Sequence, residues 1–254
     1  MSTELDVAIG AARDAGRLQL RRFRKTQSVQ SKADDTPVTK TDLESEARIR
    51  RRLQEAFPSY GFLGEEGGEV AATAGARWIV DPLDGTKKYV RGLPFFGPCI
   101  ALERAGKLQL GVMYIPAMRE LLWAERGSGA FLNGAPIYVS TTDDLARAYV
   151  VRGNEPGFLR RGWPEAARSP AINAYHDPGF LDLYSYASLA CGRIDGIIMV
   201  DEAPWDIAAA AVIVEEAGGK LTDFSGEVTV HHGTSVTSNG HLHDQLLALV
   251  RPCR

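Results

Sequence analysis

Carboxylates occupy four places in this 254-residue chain that ordinary surface acids do not share. Glu65 and Glu66 lie in G-E-E-G-G at 64 to 68, Asp81 and Asp84 in W-I-V-D-P-L-D-G-T at 78 to 86, Asp206 in P-W-D-I-A at 204 to 208, and Asp42 closes T-K-T-D at 39 to 42. Each falls at the boundary of an expected element. Asp81 follows directly on an apolar run, so its carboxylate emerges at a strand end, where ligands commonly bind in α/β proteins. Pro82 sets a bend from which Asp84 can turn back toward the same point. Carboxylates gathered together raise each other's pKa unless a cation neutralises them, and oxygen-only ligands suit magnesium better than zinc. Gly85 allows close backbone approach and Thr86 adds a hydroxyl, so their amides can hold a phosphate if a tight turn or helix begins there. Two magnesium ions about 3.5–4 Å apart polarise a phosphoryl group and lower the pKa of an attacking water. The chemistry in prospect is hydrolysis at phosphorus.

Taken singly, each residue also has a structural reading. Asp206 and Asp42 suit the first turn of a helix, where an acid meets the helix dipole. Glu65-Glu66 between glycines can be a plain loop, and D-P-L-D-G is built from turn-forming residues.

The elements that must position these groups are legible in outline. From Leu5 to Phe23 the residues Leu5, Ile9, Ala12, Gly16, Leu20 and Phe23 recur at helical spacing, with Arg17, Arg21, Arg22 and Arg24 mostly on the other face. Ser31 to Lys40 has loop composition, and Thr41 with Glu44 reads as a capping box opening a helix through about Phe57, whose Arg48, Arg50, Arg51 and Arg52 form a solvated face. Two helices therefore precede the first expected strand, Trp78 to Val80. Phe95 to Leu102 and Leu108 to Ile115 read as a hairpin across Ala105-Gly106, with Leu121 to Ala124 as a further strand. Ala148 to Val151 and Ile197 to Val200 are β-type runs; Leu181 to Cys191, Ile207 to Ala217 and His241 to Val250 are helical. With a hairpin within an alternating helix and strand order, a purely parallel doubly wound sheet fits poorly and a layered α/β arrangement with mixed sheets fits better. The boundary near Thr141 to Leu145 divides an N-terminal α+β half, 1–142, which carries most of the acids, from a C-terminal α/β half, 143–254, packed on it as one catalytic unit.

Composition narrows the function. With 44% hydrophobic and 24% charged residues the chain can bury a large core. A net charge of −3 provides no field for nucleic acid or an anionic membrane, so a small phosphorylated metabolite is the expected partner. Cys99, Cys191 and Cys253 form neither a C-x-x-C pair nor a disulfide framework, and no signal peptide or membrane-spanning stretch is evident, which makes the cytoplasm the expected setting. His231, His232, His241 and His243 lack an accompanying zinc motif and read as structural or surface residues. Trp163 and the stretch Asn154 to Pro170 read as an exposed loop.

In their order along the chain, T-K-T-D, G-E-E, W-I-V-D-P-L-D-G-T and W-D-I-A-A-A-A-V-I-V-E-E-A-G-G at 205 to 219 resemble the inositol monophosphatase family of magnesium-dependent, lithium-sensitive phosphatases. The resemblance covers nearly the whole chain. It implies an α/β fold, a layered αβαβα sandwich, with two or three magnesium ions on Glu65, Asp81, Asp84, Asp206 and the carbonyl of Leu83. Phosphate would lie on Asp84, Gly85 and Thr86. Water would attack directly, activated by metal together with Thr86 and Asp42, with Glu65 close by and no phosphoenzyme. Members often form homodimers.

The continuation K-K-Y-V-R-G-L-P at 87 to 94 and D-L-Y-S-Y at 182 to 186 resemble the histidinol-phosphate phosphatase branch, active in histidine biosynthesis. A substrate carrying an amine suits acids at the pocket rim, for which Asp182, Asp201 and Glu202 are candidates, with Lys87 and Arg91 as further substrate contacts. Met199 stands where inositol-type members place a substrate-contacting glutamate. The alternatives are an inositol-1-monophosphatase, a broad-specificity phosphatase and an adenosine 3′,5′-bisphosphate nucleotidase. A haloacid-dehalogenase-type enzyme would need D-x-D-G-T, and D-P-L-D-G-T has one residue too many. A non-catalytic binding protein on the same fold would have no need of the full ligand set.

Overall fold

Ser2 caps the first helix, α1 (Thr3–Arg22), by accepting from the Leu5 N–H, while Glu4 and Asp6 in its first turn and Arg21 and Arg22 in its last complement the dipole. Its buried stripe, Leu5, Ala8, Ile9, Ala12 and Ala15, lies against the second helix, α2 (Lys40–Ala56), and a large sheet. The computed structural model describes residues 1–25, 28–32, 36–162, 174–179 and 182–250.

Two points at the start of α2 differ from the sequence reading. The capping box is Thr39 with Asp42, two residues earlier than Thr41 with Glu44: the Thr39 side chain accepts from the Thr41 N–H and the Asp42 carboxylate accepts from the Thr39 N–H. Glu44 instead pairs outward with Arg22 and Lys40. The second point is that the loop before α2 contains a hairpin, β1 (Val29–Ser31) with β2 (Pro37–Thr39), so strands do intervene between the two helices. Three-residue strands with no buried alternation leave too little periodicity to read.

The large sheet has eight strands in the order β10-β9-β8-β7-β6-β5-β3-β4. They are β3 (Gly61–Gly64), β4 (Gly68–Val70), β5 (Ala76–Asp84), β6 (Gly97–Arg104), β7 (Lys107–Ile115), β8 (Glu120–Glu125), β9 (Ala130–Leu132) and β10 (Ala135–Ile137). Among the described residues of this sheet, only β3 and β5 pair in parallel; the short strands β3, β4, β9 and β10 carry no expectation from the sequence. Trp78 and Val80 face α1 and α2, whereas Ile79 faces the opposite layer, so the continuous apolar run is a strand buried on both faces.

That opposite layer is formed by α5 (Leu183–Ala190) and α6 (Pro204–Glu216). Every residue of α6 from Ile207 to Val214 is buried, as suits a helix apolar all round and enclosed between sheets. A second sheet, β11-β12-β14-β13, follows: β11 (Val150–Arg152), β12 (Gly196–Val200), β13 (Lys220–Thr222) and β14 (Thr234–Ser238). Its far side is closed by α7 (His243–Val250) and by α4 (Glu155–Arg160), which supplies Phe158. The sequence is therefore helix, sheet, helix, sheet, helix, the mixed αβαβα layering expected. The large sheet draws its strands from 61–137 and the small one from 150–238, while α6 packs on the large sheet, so the halves share an interior. Helix α4 corrects the loop reading for 155–160; Trp163 to Pro170 and Cys253 lie outside the described residues. Cys99 and Cys191 are both free thiols. Among the described residues no helix is long and apolar enough to cross a membrane.

Candidate active site

The turn after β5 decides where the aspartates point. Asp81 pairs with Cys99 and Asp84 with Gly97, so three steps along β5 span only two along β6. In an unbroken strand residues three apart face opposite sides; one extra residue resets the alternation and puts both carboxylates on the α6 side. Gln19, fully buried on α1, donates to the Pro82 carbonyl at 2.7 Å and holds the bulge from behind. Gly85 follows at φ 85°, where a Cβ would lie 2.5 Å from the Phe95 carbonyl oxygen, and α3 (Thr86–Val90) begins.

A cleft of about 690 Å³ opens here, lined by Glu65, Asp81, Leu83, Asp84, Gly85, Thr86, Lys87, Lys88, Asp182, Met199, Asp201, Glu202, Trp205 and Asp206, among others. Helices α3, α5 and α6 all begin at it, and α2 reaches it through Thr86, whose hydroxyl lies 2.8 Å from Asp42 Oδ1. Their N-terminal ends favour negative charge.

Asp42 and Asp206 satisfy both readings at once. Asp42 accepts from the Thr39 N–H through Oδ2 and from Thr86 through Oδ1. Asp206 accepts from the Ala203 N–H at 2.7 Å and also lines the cleft. Asp81 accepts from the Leu83 N–H at 2.8 Å. Asp84 accepts from the Leu183 N–H, but its Oδ2 is buried with no hydrogen-bond partner. Burial, then the neighbouring acids, push Asp81 and Asp84 well above the usual carboxylate range. Asp206 is pushed up to about 8, chiefly by burial. An orphaned buried oxygen within an all-oxygen set of mutually repelling acids fits a hard divalent cation. Lys32 Nζ, on the hairpin side, lies 2.6 Å from both Glu65 and Glu66. Burial opposes that ammonium, but the two carboxylates outweigh it and hold its pKa above the ordinary value.

The expected substrate contacts separate. Glu202 is buried, with Tyr186 and Ser235 donating to its two oxygens, and burial pushes it up to about 7. Asp182 faces the cleft and pairs with Lys88, a residue the sequence reading passed over for Lys87. Asp182 adopts φ 61° with ψ −159°, a region that residues other than glycine seldom enter. Asp201 lines the cleft with both oxygens engaged, Oδ1 by Arg161 and Oδ2 by Arg160 and Asn154, which ties α4 to the wall. Met199 is half-buried in the lining, whereas Arg91 is exposed at the end of α3 and outside it. Lys32 and Lys88 carried no signal in the sequence, since both meet their partners only through the fold.

The histidines lie elsewhere. His243 is buried between Thr222 and Ser238, and His232 pairs with Asp223. Asp223, Glu227 and His232 come close enough to share an ion, but Asp223 Oδ1 already accepts from Ser225 and Glu227 and Oδ2 from His232.

Comparison with known proteins agrees with this geometry. The sequence model of the Inositol monophosphatase family matches residues 1–254. A histidinol-phosphatase of Chlorobaculum parvum is 39% identical over 98% of this chain and 97% of that protein. An inositol-1-monophosphatase of Rhizobium meliloti is 38% identical over 98% and 97%. The crystal structure of the extragenic suppressor protein suhB from Bartonella henselae superposes with a TM-score of 0.93 at 33% identity, covering all of both chains.

Proposed function

This chain belongs to the inositol monophosphatase family and is a phosphatase for small phosphorylated substrates, and on that premise we propose that it is a magnesium-dependent phosphate monoester hydrolase acting on histidinol phosphate. The observation that carries the metal-dependent reading is Asp84, a buried carboxylate with an unpartnered oxygen beside Asp81 and Asp206, all three held above their ordinary pKa. Glu65, Asp81, Asp84, Asp206 and the carbonyl of Leu83 would hold the cations. Bound there, magnesium supplies Lewis-acid polarisation of phosphoryl oxygens and a lower pKa for water.

The remaining work falls to the chain's own groups. The amides of Gly85 and Thr86 orient the phosphate at the start of α3. Thr86 Oγ1 has one hydrogen and two acceptors in range, Asp42 Oδ1 at 2.8 Å and the Leu83 carbonyl at 2.9 Å. The carboxylate is the stronger acceptor, and donation to it leaves an oxygen lone pair to accept from a water in the cleft. Burial raises the Asp42 pKa, which suits it to take up the proton relayed through Thr86 as water attacks phosphorus. The products are inorganic phosphate and the alcohol, with no phosphorylated side chain between. Asp206 comes from the second half of the chain and the other acids from the first, so both halves act as one catalytic unit.

Among the described residues, seven carboxylates line the cleft against three basic side chains, Lys87, Lys88 and Arg160. Asp182, which faces the cleft, with the half-buried Trp205 also in the lining, suits a leaving group with an ammonium and a flat ring, whereas Glu202 keeps both oxygens on Tyr186 and Ser235. A polyhydroxylated ring would instead meet the apolar Met199. The same reading places the reaction in histidine biosynthesis in the cytoplasm. Inositol 1-phosphate is the second reading, favoured by the Rhizobium relative at nearly equal identity. The deciding experiment is phosphate release with magnesium from L-histidinol phosphate, myo-inositol 1-phosphate and adenosine 3′,5′-bisphosphate, with Asp84→Asn as the blank. Preference for histidinol phosphate is expected; preference for either other ester overturns the substrate assignment and leaves the metal site standing.

A further inference from the structure

We propose that Glu46, a buried carboxylate with no part in the chemistry above, is a positioning residue that holds Glu65 in place and thereby sets the affinity of the metal site. The inference rests on the reading of Glu65 as a metal ligand. Glu46 lies on the inner face of α2 and is only 4% exposed. Its Oε2 accepts from the Glu66 N–H at 2.8 Å, and the carboxylate also accepts from the Gly67 N–H. On the other side, the Glu65 N–H donates to the Val80 carbonyl at 3.2 Å. Glu65 therefore sits between two anchors, β5 before it and α2 after it, and its side chain has little backbone freedom.

The glycines of G-E-E-G-G follow from the same contact. A Cβ on Gly64 would lie 2.5 Å from Glu46 Oε2, and one on Gly67 would lie 2.4 Å from Oε1. The loop closes over the carboxylate because nothing but backbone stands there. A carboxylate suits the role because it only accepts: a glutamine would present one acceptor and one donor to two N–H groups. Asp42 lies one helical turn away on the same face of α2, where it meets Thr86. One rigid helix thus registers the catalytic hydroxyl and a metal ligand against each other.

The test is titration of the full chain with magnesium by calorimetry, alongside thermal unfolding without metal, for the wild type, Glu65→Gln, Glu46→Gln and Gly67→Ala. Groups that orient a ligand typically govern metal affinity by about 10–100-fold, and a weakening in that range is expected for both Glu46→Gln and Gly67→Ala. Gly67→Ala keeps the charge. Its φ is not positive, and the atoms nearest the new Cβ are the far ends of Glu46 and Arg50, so it is expected to fold even if Glu46→Gln does not. Unchanged affinity in Gly67→Ala, or in a folded Glu46→Gln with a lower unfolding temperature, makes Glu46 a structural cap and overturns the proposal. Unchanged affinity in Glu65→Gln locates the failure in the ligand assignment, and the proposal falls with it.

Discussion

The hydroxyl of Thr86 lies 2.8 Å from Asp42 Oδ1 although 44 residues separate them, and Asp42 is at the same time the capping acid of its own helix. In the proposed mechanism a proton relayed through Thr86 arrives at a carboxylate already oriented by Thr39. Thr86→Val and Asp42→Asn are each expected to lower kcat by about 10²–10⁴-fold, the range for a general base. Magnesium affinity should change little. Because the two residues act as a unit, the double variant should be scarcely slower than the worse single one; fully additive losses in steady-state kinetics would separate their roles.

Asp84→Asn should fold and lose magnesium-dependent turnover. With Asp84 as a ligand in the proposed metal site, its loss removes several kcal/mol of charge stabilisation, on the order of a thousandfold in rate. Colorimetric phosphate release, with circular dichroism to check folding, measures both. A folded variant of near-normal activity would falsify the metal assignment.

Metal binding should be coupled to proton release. Asp81 and Asp84 are held above the ordinary range and Asp206 near 8, so the metal-free native protein keeps protons that the unfolded chain has lost above about pH 4. Native protons in excess make stability fall as pH rises, and the metal-free unfolding temperature should drop between pH 5 and pH 8. Saturating magnesium should flatten that slope, and its affinity should increase over the same interval. Calorimetry in buffers of different ionisation enthalpy counts the protons released; a count of zero at pH 7 would contradict the raised values.

His243 gives the opposite dependence. Burial, with Lys220 nearby, lowers its pKa to about 4, so below about pH 6.5 the unfolded chain takes up a proton that the native state refuses. Stability contributed by the neutral ring is present above that pH and declines as pH falls toward 4, by roughly 3 kcal/mol in all. His243→Gln should be less stable at pH 7, having lost the bonds to Thr222 and Ser238, but should lose less on acidification. Denaturant unfolding of both proteins at pH 7 and pH 4.5 makes the comparison, and equal losses would rule out His243 as the source.

What the sequence determined by itself was local. The types and order of Asp42, Glu65, Asp81, Asp84, Thr86 and Asp206, the apolar α6 run from Ile207 to Val214 and the long hairpin of β6 and β7 were all legible, because helical periodicity, turn chemistry and motif spacing act over a few residues. Tertiary structure decided the rest. Asp81 and Asp84 face one way because β5 carries one residue more than β6 across the pair, a mismatch that exists only once the strands are aligned. Thr39 caps α2 instead of Thr41 because the Asp42 carboxylate reaches back to the Thr39 N–H. Asp201, a candidate rim acid for a substrate amine, is held by Arg160 at the end of α4 and by Arg161, its C-cap, whereas Asp182 meets Lys88 across the cleft. Glu46, unremarkable among the charges of α2, lies beneath the Glu65 loop. Each of these depends on which distant element a side chain meets, and the energy of a buried polar group depends on that partner rather than on its neighbours in the chain.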